Sequence, residues 1–122
     1  MLEHVGRLLD VTHDLLCLIR RDGYFQLTNF SWETTLGYSR EELLARAYLE
    51  LIHPEDRAAT IADAEKVMSG RPTVSLENRY LCKDGSYKWF SWAVTASLPN
   101  NSLTALGAIS RNTSAPKNGR SA

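Results

Sequence analysis

Hydrophobic and polar positions change period twice along the chain. Leu2, Val5, Leu8 and Leu9 recur at helical spacing and predict a short amphipathic helix over residues 1–12. Such a helix is marginal alone in water, so its apolar stripe needs a partner surface. The apolar run Leu15–Ile19 and the segment Tyr24–Thr28 flank Arg21-Asp22-Gly23. Asp-Gly between apolar runs is a hairpin signal, read as a tight turn with positive φ at both central residues, and it predicts strands over about 15–20 and 24–29.

The next forty residues read as helical pieces. Asn29 or Ser31 is placed to cap a turn holding Trp32 and Leu36, which Gly37 ends. Ser39-Arg40-Glu41-Glu42 has capping-box spacing, with Tyr38 and Leu43 at the hydrophobic-staple positions. Tyr48 to Ile52 gives a further short turn. His53-Pro54-Glu55-Asp56 opens the longest helix, because proline suits its first turn and the acids suit the positive dipole end. Ala58, Ile61, Ala64 or Glu65 and Met68 form its expected apolar stripe, and Gly70 and Pro72 stop it.

From residue 73 the period is two. Leu76, Asn78, Tyr80 and Cys82 share one face, and Glu77, Arg79 and Leu81 the other. Lys83-Asp84-Gly85-Ser86 is a second Asp-Gly turn. The strand from about 86 to 98 is apolar on both faces, which predicts cover on both sides. Pro99-Asn100-Asn101-Ser102 turns into a last strand over 103–110, and residues 114–122 read as a polar tail. Two strands, a helical crossover and three hairpin-linked strands predict an α+β domain over 13–113, an antiparallel five-stranded sheet with helices on one face.

Composition narrows the function. The 122 residues carry 14 Lys plus Arg and 14 Asp plus Glu, so no basic excess points to nucleic acid. No apolar run reaches the ~20 residues of a membrane span, and Met1-Leu2-Glu3-His4 does not read as a signal peptide. Cys17 and Cys82 lack a CxxC partner and are expected to be reduced thiols in a cytoplasmic protein.

Arg21-Asp22-Gly23 leading to Asn29, Leu36-Gly37-Tyr38-Ser39-Arg40-Glu41-Glu42-Leu43, His53-Pro54-Glu55-Asp56-Arg57, and Glu77-Asn78-Arg79-Tyr80 with Lys83-Asp84-Gly85-Ser86-Tyr87-Lys88-Trp89 together resemble the PAS family with its PAC segment. The resemblance covers about residues 12–113. It implies sheet order 2-1-5-4-3, a cleft between sheet and helices, and use as a sensory input module beside histidine kinase, cyclase or DNA-binding domains. It also implies homodimerisation through a helix before the first strand, which singles out Leu2, Val5, Leu8 and Leu9. The family usually ends in an Asp-Ile-Thr type motif; Arg111-Asn112-Thr113-Ser114 stands here instead.

For a ligand or cofactor in such a cleft, the candidates are Phe30, Trp32, Tyr48, Asn78, Tyr80, Trp89 and Ser91, an aromatic wall with a few polar groups. The face shown by strand 86–98 stays open, because a one-residue slip exchanges every side chain. The ligand is not named by the sequence. A haem held by a helix histidine is disfavoured, since residues 57–69 contain none, and flavin adduct chemistry is disfavoured, since both cysteines fall on strands. His53 reads as a helix cap, and His4 and His13 lack spaced metal-ligand partners. No nucleophile motif appears, so the domain is expected to be a non-catalytic sensor or a ligand-free dimerisation module.

Overall fold

A computed structural model describes residues 14–97 and 102–110. The expected helix over 1–12, with Leu2, Val5, Leu8 and Leu9, and the tail over 114–122 lie outside the described residues. Strands β1 (Leu15–Ile19) and β2 (Phe25–Thr28) are followed by helices α1 (Ser31–Leu36), α2 (Arg40–Leu44), α3 (Tyr48–Leu51) and α4 (Pro54–Met68). Strands β3 (Thr73–Leu81), β4 (Tyr87–Ser97) and β5 (Ser102–Ile109) complete the chain. The five strands form one antiparallel sheet in the order β2-β1-β5-β4-β3.

Both Asp-Gly turns are hairpins, but with three-residue loops where the sequence suggested two. Gly23 N–H donates to Arg20 O at 2.8 Å, and Arg20 N–H donates to Tyr24 O at 2.8 Å. Gly85 N–H and Cys82 N–H repeat the pattern toward Cys82 O and Ser86 O. Gly23 takes φ 91° and Gly85 φ 95°, the left-handed position that follows a type I turn. Each aspartate stiffens its loop by accepting a backbone N–H two residues on, Tyr24 for Asp22 and Ser86 for Asp84.

The helical crossover is organised by caps. Ser39 Oγ accepts from Glu42 N–H and Glu42 Oε1 accepts from Ser39 N–H, a complete capping box. His53 Nδ1 accepts from Glu55 N–H at 3.0 Å, with Pro54 in the first turn of α4. The cap expected from Asn29 or Ser31 is absent: α1 starts at Phe30 without a side-chain cap. Asn29 is used on β1 instead, its Oδ1 accepting from Leu16 N–H and its Nδ2 donating to Asp14 O.

Helix α4 is rotated from the expected stripe. Thr60 and Val67 are buried and Ala64 packs on the core, whereas Ile61 and Met68 are exposed. Polar anchors set this rotation. Asp56 grips Arg79 on β3, and Thr60 Oγ1 accepts from Asn78 Nδ2 at 3.2 Å. Both partners sit on one strand, so the helix face carrying residues 56, 60 and 64 must turn to the sheet.

Register settles the faces of β4. Trp92 pairs with Gly107 and Val94 with Ala105, which pair in turn with Leu15 and Cys17. Phe90, Trp92 and Val94 therefore join Leu15, Cys17 and Ile19 in the core under the helices. Trp89, Ser91, Ala93 and Thr95 face the other way, beside Leu106, Ala108, Leu16 and Leu18.

Candidate functional site

The space between sheet and helices is filled mainly by rings. Trp32 on α1 stands at the centre, edge-on to Phe25 (centroids 5.1 Å) and Tyr80 (5.7 Å), and 6.1 Å from Trp92. Tyr80 also meets Trp92 at 5.4 Å and Phe90 at 6.1 Å. Trp32 reaches its depth because its Nε1–H donates to Leu16 O at 2.9 Å, which satisfies the indole donor inside the core.

One buried polar chain crosses this layer. Trp92 Nε1–H donates to Asn78 Oδ1 at 2.8 Å, Asn78 donates to Thr60 Oγ1, and Thr60 Oγ1–H donates to Asp56 O at 2.8 Å. It links β4, β3 and the first turns of α4, so sheet and helix share one set of satisfied bonds.

What the rings leave open is a cavity of about 30 Å³, bordered by Cys17, Tyr48, Thr60, Asn78, Tyr80 and Trp92 among others. Burial pushes the Cys17 thiol far above its usual range, so the group stays a neutral thiol. Burial also raises the phenols of Tyr80 and Tyr48, with smaller contributions from Cys17 on each. Asp63 on the rim accepts from Thr73 Oγ1 at 2.6 Å.

Of the residues expected in the cleft, Tyr48, Asn78 and Tyr80 are brought together on the cavity. Trp32 packs behind them in the core. Three others are misplaced. Phe30 is 50% exposed at the start of α1. Trp89 and Ser91 lie on the opposite face of the sheet, since the register of β4 turns its even-numbered residues inward. Trp89 there carries the Arg79 guanidinium 4.8 Å above its ring. Reasoning from the sequence passed over Cys17 and Thr60 as cavity residues. The alternation Leu15, Cys17, Ile19 carried a signal for the first; only the α4 rotation could supply the last.

Asp56 takes three hydrogen bonds from Arg79. Its two oxygens accept from the Arg79 backbone N–H (2.8 Å), Nε (2.9 Å) and Nη2 (2.8 Å). Partial burial pushes the carboxyl up, but the hydrogen bonds and charge of Arg79 outweigh it and hold the pKa below the ordinary 3.8. A carboxyl depressed in the folded state stabilises the fold above its unfolded pKa, and that contribution is lost as pH falls through the folded value. Wild type should therefore lose stability below about pH 4, and Asp56→Asn should be less stable at pH 7 and lose less on acidification. Thermal melts of both proteins across pH 2–7 check this; parallel curves would remove Asp56 from the explanation.

No group of three or more His, Cys, Asp or Glu that could hold a metal occurs among the described residues. No helix among them is long and apolar enough to cross a membrane.

The sheet order, the helical crossover and the ring-filled cleft define a small α+β module. The family model described as PAS fold matches residues 28–105, and the chain belongs to that family. In sequence it is 35% identical over 81 residues to the probable diguanylate cyclase DgcE of Escherichia coli (strain K12). That stretch is 66% of this chain but 7% of the relative, so the chain spans a small part of its length. Among solved structures, the PAS domain of a protein from Colwellia psychrerythraea is similar with a TM-score of 0.78 at 19% identity, over 89% of this chain and 96% of that one. A domain of a sensory box sensor histidine kinase/response regulator from Geobacter sulfurreducens gives 0.72 at 19%, over 87% and 92%. Drosophila melanogaster Cycle PAS-B with bound ethylene glycol gives 0.72 at 20%, over 79% and 99%.

Proposed function

We propose that this PAS domain is the cytoplasmic, non-catalytic input module of a longer signalling protein, and that it works without a flavin- or haem-sized group in its cleft. The observation that carries this reading is the fullness of the cleft. About 30 Å³ remains open, against roughly 300–1,000 Å³ for pockets that hold drug-sized ligands. The relatives that are a probable diguanylate cyclase and a sensor histidine kinase support an output domain of that kind.

In this reading the signal passes through the outer face of the sheet. Leu16, Leu18, Ala93, Leu106 and Ala108 make that face apolar, and Leu106 is 38% exposed. Exposed apolar surface of this kind marks contact with another protein segment. A second copy of the chain is the proposed partner, with the stripe Leu2, Val5, Leu8 and Leu9 as the proposed contact on its side.

Native mass spectrometry of the purified chain tests both parts. A dimer without flavin or haem mass is expected, and Leu106→Asp should shift it to monomer with unchanged circular dichroism. Retained cofactor mass, or a wild-type monomer at high concentration, would overturn the reading.

A further inference from the structure

The first turn of α4 is capped by an imidazole. His53 is half-buried, and its Nδ1 accepts from Glu55 N–H at 3.0 Å. The oxygens of serine, threonine, asparagine and aspartate, the usual caps, accept at any pH near neutrality. An imidazole nitrogen accepts only while it carries no proton, so this bond requires a neutral ring with its hydrogen on Nε2. An imidazolium has two donors and no acceptor. In the same place it would set a donor against the Glu55 donor and a cation against the positive end of the helix dipole. The cap bond and a charged His53 therefore exclude each other.

The groups around the ring draw a charged form away from the cap. On α4, the Glu55 side chain is 76% exposed and meets Arg79 Nη2 at a long 3.4 Å, while both Asp56 oxygens are taken by Arg79. Arg57 is bonded back to Ile52 O at 3.0 Å. From β3 comes the Arg79 guanidinium, and from β4 the Tyr87 ring, its centroid 4.7 Å from that of the imidazole. Tyr87 is 41% exposed, so the imidazole can turn outward past it without entering the core. The backbone is held in place. His53 N–H donates to Arg79 O at 3.0 Å, and Ile52 bridges Tyr80, which ties residues 52 and 53 to the edge of the sheet. The response is left to the side chain and the first helical turn.

We propose that His53 is a proton-operated cap: the neutral ring holds the first turn of α4, and the protonated ring lets go of it. That turn carries Asp56, which grips Arg79 on β3. One turn further on is Thr60, bonded through Asn78 to Trp92 on β4. Loosening the turn changes how firmly the helix is held to two strands, so the charge on one imidazole is passed into the sheet. The inference goes beyond the sensory reading above, since the proton itself is the input, and it needs neither the docking face nor a second copy.

Nuclear magnetic resonance of the full chain, titrated from about pH 8 to about pH 5, where histidine side chains change charge, tests the proposal. The His53 ring nitrogens should report the Nε2–H tautomer at the upper end. As the ring takes up its second proton, the Glu55 amide proton should move upfield with the same midpoint, and the Trp92 indole proton should follow. Asparagine is a strong cap that does not titrate, so His53→Asn should fold and show no step at either proton. At about pH 5 Glu55 N–H should exchange about two- to thirtyfold faster in the wild type than in this variant, the loss of one side-chain cap. The Asp56 transition lies lower, below about pH 4, and is not confused with it. An Nδ1–H tautomer at the upper end, a Glu55 amide that stays still while the ring titrates, or a step that persists in His53→Asn would overturn the proposal. A Trp92 indole that stays still would overturn the transmission to the sheet.

Discussion

Trp32→Ala is expected to cost about 3–5 kcal/mol of folding stability, the range for deleting a buried indole. Domains of this size have only about 5–15 kcal/mol in total, so the variant should be largely unfolded at physiological temperature or close to it. The large figure follows from position. The side chain is fully buried and touches Phe25, Tyr80 and Trp92 at once, so alanine leaves a hole that three rings cannot close without abandoning their own contacts. Its lost hydrogen bond adds little, because Leu16 O keeps a second donor in the Asn29 N–H. Urea denaturation measures the change. Phe30→Ala, two residues away and half exposed, should cost far less. Equal losses for the two would mean that the ring cluster does not organise the core.

Gly107→Ala should be destabilising by about 1–3 kcal/mol, although it adds a single methyl group to a strand. A Cβ at this position would lie 2.6 Å from Cε3 and Cζ3 of Trp92 and 2.7 Å from Cη2. The indole lies flat across the glycine, its cross-strand partner on the same face. It cannot simply swing aside, because its Nε1–H is bonded to Asn78 and its ring is wedged against Tyr80, Phe90 and Trp32. A double-mutant cycle isolates the clash. In a Trp92→Leu background the same glycine substitution should cost much less, since the obstructing ring is gone. Additive losses would place the cost in the β5 backbone and not in the indole.

The two substitutions differ in how visible they were beforehand. Trp32 could be picked out beforehand as a large ring of the helical crossover at the cleft between helices and sheet. The demand for glycine at 107 could not, because nothing local to β5 requires it: the constraint comes from a ring on the neighbouring strand. The same holds for the cleft. Asn78, Tyr80 and Cys82 were placed on one face by alternation, which survives any register. Trp89 and Ser91 were placed in the cleft on a strand apolar on both faces, where alternation gives no preference and register alone decides.

Short-range chemistry carried most of what the sequence by itself determined. The two Asp-Gly turns, the Ser39–Glu42 box, the His53-Pro54 start and the Gly37 stop are each settled by groups within four residues of one another. Together with the change of period they were enough for the element order and for the antiparallel sheet, while the sheet order came from the family resemblance. The tertiary structure decided the rest. It chose which face of β4 points inward, and it turned α4 so that Thr60 meets Asn78 while Ile61 and Met68 stay outside. It also closed the cleft down to a cavity bordered by Tyr48 and Tyr80. Those outcomes depend on bonds such as Asp56–Arg79, 23 residues apart, and Trp92–Asn78, 14 apart. Partners that far apart in sequence exert no pull on local conformation until the sheet has brought them within reach.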